Sequence, residues 1–154
     1  MNISKITLRI LTILMLAAPA MSFSQGVSGA KTLNKYVKEI GQFDRLKVLD
    51  DVNVVYRCNP DSTGLAVFEG EPQFENAFIL TLNKNTLKVQ VNTEDLGQPG
   101  LPTLYLYSDF LTLVENSATF TTRVETLAPC AEFKAIETGI GTVTVDDLSA
   151  NKVI

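Results

Sequence analysis

The sequence predicts an all-β protein whose second half is built from stacked, repeating strand-and-turn units. Three observations predict it. From Tyr36 onward apolar and polar residues alternate with period two, in short runs bounded by Gly, Pro, Asn and Asp. β-Branched and aromatic residues are frequent, and no apolar i, i+3, i+4 spacing persists in residues 100–154, which argues against helix there. Two segments of the second half also superpose on one another at a spacing of twenty-two residues.

The chain opens on MNISKITLRILTILMLAAPAMSFSQG, where Lys5 and Arg9 precede an apolar run from Ile10 to Ala20 and small residues follow. That order predicts a secretory signal peptide over residues 1–24, cleaved after Ser24 or, alternatively, after Ala20. The apolar run is well short of the ~20 residues needed to cross a bilayer as a helix, so no membrane span is expected after cleavage. No cysteine lies near either cleavage point, so a lipoprotein anchor is not expected. Residues 25–35 read as a flexible mature N-terminus and residues 36–154 as one all-β domain, large enough to bury a core. The expected location is periplasmic or extracellular, in the cell envelope. Losing Lys5 and Arg9 makes the mature chain more acidic than the −4 of the full sequence, and an acidic surface repels nucleic acid.

The elements follow in order. In Gly29 to Gly41, GAKTLNKYVKEIG, a helical face (Leu33, Val37, Ile40) and period two over Tyr36 to Ile40 fit equally well. FDRLKVL (43–49) and VNVVYRC (52–58) alternate as strands, NPDSTG supplies a turn, and LAVFEG continues as a third strand. FILTL (78–82) and LKVQV (87–91) flank the polar connection NKNT and predict a hairpin. NTEDLGQPGLP (92–102) holds two glycines and two prolines and reads as an exposed loop. Beyond it come LYLY, LTLV, ATFTT, EFKAI and TVTV as closely spaced strands.

The repeat places LTLVENSATFT (111–121) over FKAIETGIGTV (133–143), matching Leu111 with Phe133, Val114 with Ile136 and Glu115 with Glu137. A third copy would begin at LSANKVI. Stacked in this way, Glu115 and Glu137 would lie side by side in adjacent units and could contact calcium or a sugar. Tyr105 and Tyr107 alternate with Leu104 and Leu106, so the two rings share one face, suited either to stacking on a ligand or to core packing.

Several chemistries are excluded or disfavoured. The chain has no histidine, so the usual base for activating a serine or cysteine nucleophile is missing. Cys58 and Cys130 are its two cysteines, and two thiolates fall short of a tetrahedral metal set; no metal or cofactor is expected. An oxidising compartment would permit Cys58 to pair with Cys130, closing a long loop worth roughly 4 kcal/mol. Two reduced, buried thiols filling core space are the preferred reading. The Gly139-Ile140-Gly141 turn lacks the third glycine and the following helix of a phosphate cradle, and reads as a backbone device where one strand turns into the next.

The order KEIGQFDRLKV, VNVVYRC, LAVFEG, FILTLNKNTLKVQV, LYLYSDFLTLVENSA and TGIGTVTVDDL resembles the head GIN domain family of auto-transporter adhesin heads, exported proteins found in bacteria of the Bacteroides group. The resemblance runs from about Tyr36 to the end and includes the F-x-x-L/I-x-V opening at Phe43 to Val48. It implies an all-β fold ending in a right-handed β-helix or β-solenoid. Family members carry further glycine-containing coils, so a chain stopping at Ile154 is expected to be a truncated product or a short divergent member. The function expected is adhesin-like binding of a protein or glycan at the cell surface, without catalysis and with homo-oligomerisation left open. The alternatives are a carbohydrate-active β-helix enzyme using carboxylates from Glu115, Glu137, Asp146 and Asp147, or a periplasmic accessory or sensor domain.

Overall fold

The structure is a computed structural model that describes residues 31–154; the predicted signal peptide and most of the predicted flexible segment lie outside the described residues. Among the described residues there are twelve strands: β1 Asn34–Glu39, β2 Arg45–Val48, β3 Val54–Cys58, β4 Leu65–Gly70, β5 Phe78–Asn83, β6 Thr86–Val91, β7 Leu104–Ser108, β8 Leu113–Asn116, β9 Thr121–Thr126, β10 Cys130–Glu137, β11 Thr142–Val145 and β12 Ala150–Val153. Two single-turn 3-10 helices, Pro60–Ser62 and Pro72–Phe74, sit in connections. Among the described residues no helix is long and apolar enough to cross a membrane.

The all-β expectation holds, but the β-solenoid does not. The strands form two open six-stranded mixed sheets, sheet A in the order β1-β4-β7-β3-β9-β11 and sheet B in the order β12-β10-β8-β2-β6-β5. A solenoid brings each unit against its neighbours in sequence. Here β2 lies between β6 and β8, and β3 lies between β7 and β9, so the first strands are inserted between partners far along the chain. The short antiparallel strands expected in the first half are present as β1·β4, β4·β7 and β5·β6, while β2 and β3 pair in parallel on both sides.

Strand identity follows the alternation closely. In β6, Leu87, Val89 and Val91 turn inward and Lys88 and Gln90 outward; β7 buries Leu104, Leu106 and Ser108 and leaves Tyr105 and Tyr107 on the other face. The ambiguous segment at Tyr36 resolves as β1, because pairing with β4 satisfies its backbone and stacks Tyr36 on Phe68 at a centroid distance of 4.9 Å. ATFTT is displaced: β9 starts at Thr121, and residues 117–120 form a corner instead. One core lies between the sheets, with Phe43 of the segment before β2 edge-on to Tyr56 of β3 and Phe68 of β4 edge-on to Phe78 of β5. Tyr56 is fully buried, and its hydroxyl is satisfied by Ser108 Oγ at 2.9 Å.

The register corrects the repeat. Thr121 pairs with Thr142 and Glu115 with Ile136, a spacing of twenty-one residues and not twenty-two. Between them the corner of Ser117 to Phe120 supports that of Thr138 to Gly141. Buried Asn116 accepts from the Ala118 amide at 3.2 Å and donates to the Phe120 carbonyl at 2.9 Å, and Gly141 N donates to the Ala118 carbonyl at 3.0 Å. A Cβ at Gly139 would stand 2.2 Å from the Ala118 oxygen, and one at Gly141 2.3 Å from the Phe120 oxygen. Neither glycine has positive φ, so close approach alone demands them.

Candidate functional site

The outer face of sheet A gathers the residues suited to recognition. Because successive side chains on a strand alternate faces, burying Leu104, Leu106 and Ser108 puts Tyr105 and Tyr107 outside. Register sets Val67 and Val55 on either side of Tyr105, and Leu65 and Arg57 on either side of Tyr107. Both tyrosines are half-buried. The Arg57 guanidinium lies over the Tyr105 ring, 4.9 Å from its centroid, and one of its nitrogens approaches the Tyr107 hydroxyl at 3.5 Å.

A bulge aims the arginine. Tyr56 pairs with Val124 but Arg57 with Thr126, leaving Glu125 as the extra residue on β9. Arg57 Nε donates to Glu125 Oε2 at 2.5 Å, and Arg123 reaches both Glu125 (3.9 Å) and Asp146 of the segment after β11 (2.6 Å). The Glu125 hydrogen bond holds the Arg57 guanidinium above its ordinary range, while the same bond pulls the Glu125 carboxyl below the usual carboxylate value. A shallow depression of about 510 Å³ runs from this cluster to β1 and β4, with Lys35, Glu69 and Thr103 on its walls. Aromatic surface, fixed guanidinium donors and rim charges together can stack a planar or ring-shaped ligand and hydrogen-bond its edge.

The other candidate residues are placed elsewhere. Glu115 projects from the outer face of sheet B, where Lys47 Nζ lies 2.5 Å from its Oε2. Glu137 pairs with buried Asn116 and is exposed at the open end of the strands, in a small depression with Ala135, Gly141 and Val143. One register position separates the two glutamates, and one position reverses the face, so they do not converge. Cys58 and Cys130 are free thiols, with no bond between them. Burial pushes the Cys58 thiol up, and its Sγ donates to the Asp109 carbonyl at 3.3 Å. Among the described residues no group of three His, Cys, Asp or Glu side chains is arranged to hold a metal ion. Arg57, Glu125 and Arg123 were not singled out from sequence; alternation in VNVVYRC puts Arg57 opposite to Val54 and Tyr56, but only the bulge brings it to Glu125.

The fold built in this way is shared with solved proteins. The chain is similar to a "putative adhesin" from Bacteroides fragilis, at 14% identity and a TM-score of 0.67, covering 80% of this chain and 57% of that one. It is also similar to a "putative adhesin" from Parabacteroides distasonis, at 12% identity and a TM-score of 0.58, covering 81% of this chain and 61% of that one. The chain thus spans about three-fifths of the length of these structures. No family profile matches it, and no curated protein does.

Proposed function

We propose that the protein is an exported, non-catalytic binding module of the cell envelope, adhesin-like and related to the head GIN domain family, that engages a glycan or protein ligand through the outer face of sheet A. The observation that carries this reading is the row of Tyr105, Tyr107 and Arg57 on an open sheet surface, with Arg57 already fixed by Glu125. The fold likeness to proteins described as adhesins supports it. A ligand-stacking surface needs rings whose orientation costs little entropy on binding, and the Arg57 contact supplies that restraint.

Two of the carboxylates that the enzymatic alternative would use, Glu115 and Glu137, do not converge. Glu115 is engaged by Lys47 and Glu137 stands in another register row, an arrangement unlike the facing carboxyl pair that glycoside hydrolysis needs. The test is a glycan array followed by titration of any hit. Tyr105→Ala and Tyr107→Ala are expected to weaken binding about tenfold or more without lowering the melting temperature, in line with a loss of roughly 1–3 kcal/mol per stacking ring. Turnover of any glycan that Glu137→Gln abolishes would overturn the non-catalytic reading.

A further inference from the structure

The outer face of sheet B carries a charge pattern different from that of sheet A. Register places Lys134, Leu113, Arg45 and Thr86 side by side on β10, β8, β2 and β6, with Ile136, Glu115, Lys47 and Lys88 in the next outward row. Lys84, in the left-handed region at φ 52°, adds a cation at the tip of the β5–β6 hairpin. Glu115 engages Lys47 closely, and Asp44 lies 3.8 Å from Arg45. Among the described residues no carboxylate lies within 4.0 Å of Lys84, Lys88 or Lys134. In a chain of net charge −4 these cations are segregated, and Lys88 stands directly opposite Lys47, whose own counter-charge Glu115 lies on the far side, on β8.

We propose that this face binds a linear, carboxylate-bearing polysaccharide. Its carboxylates would be held by Lys84, Lys88 and Arg45 in a depression of about 640 Å³, where the Asn83 amide can meet sugar hydroxyls and the one carboxylate of the lining, Asp44, is engaged by the Asn85 amide at 3.2 Å and lies 3.8 Å from Arg45. Lys134 and Arg45 are two strands apart, about 10 Å at ordinary strand spacing, so a ligand touching both is extended, which an isolated small anion is not. Leu113 between them offers an apolar step for a sugar ring. This site is independent of the tyrosine face, because it lies on the other sheet.

The experiment is calorimetric titration of the protein with alginate, a linear polyuronate, beside neutral dextran, phosphatidylglycerol vesicles and single-stranded DNA. Alginate is expected to bind and dextran not to, with affinity falling roughly tenfold between about 50 and 200 mM salt as counterions are released. The double variant Lys84→Glu/Lys88→Glu is expected to lose at least about tenfold in affinity with an unchanged melting temperature, and Lys31→Ala, which removes a cation paired with Glu71 outside the depression, to bind alginate as the parent does. Should charge reversal disturb folding, Lys84→Ala/Lys134→Ala provides the same comparison. Absence of alginate binding at low salt, parental affinity in the folded variants, or vesicles or DNA binding as tightly as alginate would each overturn the proposal.

Discussion

The two ends of the paired sheets are built differently. At the end where β1, β4 and β5 meet, Tyr36, Phe68 and Phe78 interlock with successive centroid distances of 4.9 Å, and antiparallel pairing joins the strands. At the other end β11 and β12 are edge strands of parallel ladders; Phe133 of β10 is fully buried beside them, while the inward-facing Ala135, Val143, Val145 and Ala150 are smaller and half-buried. The first end is held by interlocking rings from both sheets; the second by the single ring of Phe133 and by close backbone stacking at the corner of Asn116 and the glycines. Burial of apolar area scales with side-chain size, so the two ends should differ in stability even though both are sheet.

Phe68→Ala should be the most damaging single change. It removes a fully buried ring in contact with two others, at a cost of about 3–5 kcal/mol, read from denaturant unfolding as one cooperative loss. Gly141→Ala comes next, at about 1–3 kcal/mol, since the added methyl meets the Phe120 carbonyl 2.3 Å away. Its effect should be local: hydrogen exchange is expected to quicken in β11 and β12 while β5 and β6 keep their protection. Equal loss in both regions would show that the two ends unfold as one unit and erase the distinction.

The pH dependence probes the middle of sheet A, between the ends. Glu125 has its folded-state pKa lowered by Arg57, so its contribution is present above the ordinary value of 4.5 and is lost as pH falls below it. Tyr56 has its pKa raised by burial, so the folded state requires the neutral phenol; stability is intact below the ordinary value of 10.0 and falls as pH rises past it. Thermal melts should therefore weaken at both extremes, with Glu125→Gln flattening the acid limb and Tyr56→Phe the alkaline one. The smallest effect is expected at the open end: Lys152→Ala breaks the 3.2 Å pair with Glu132, whose side chains are 63% and 51% exposed, and should cost under about 1 kcal/mol.

Much of this was legible beforehand in particular residues. The alternation of Leu87, Val89 and Val91 with Lys88 and Gln90 located β6, and that of Leu104 and Leu106 with the tyrosines located β7 together with its outward face. The likeness of the segments at Leu111 and Phe133 is real, but the spacing of twenty-two suggested by their residues is one longer than the paired register, since turn residues permit a match at either spacing while backbone pairing permits one. At twenty-two Glu115 stands beside Glu137; at the observed twenty-one it stands beside Ile136, and the two carboxylates lie in different rows. The insertion of β2 and β3 between later strands left no local trace, because parallel partners are chosen by which apolar faces fit together across long separations in the chain.

By itself, then, the sequence determined the strand content, the inward and outward faces and the glycine corner, because these follow from side-chain alternation and local sterics. Tertiary structure decided which strands are neighbours, and with that the assembly of Arg57, Glu125 and the two tyrosines on one sheet and of Arg45, Lys84, Lys88 and Lys134 on the other. Those are long-range pairings, fixed by register and by a single bulge, and no pattern along one strand encodes its partner.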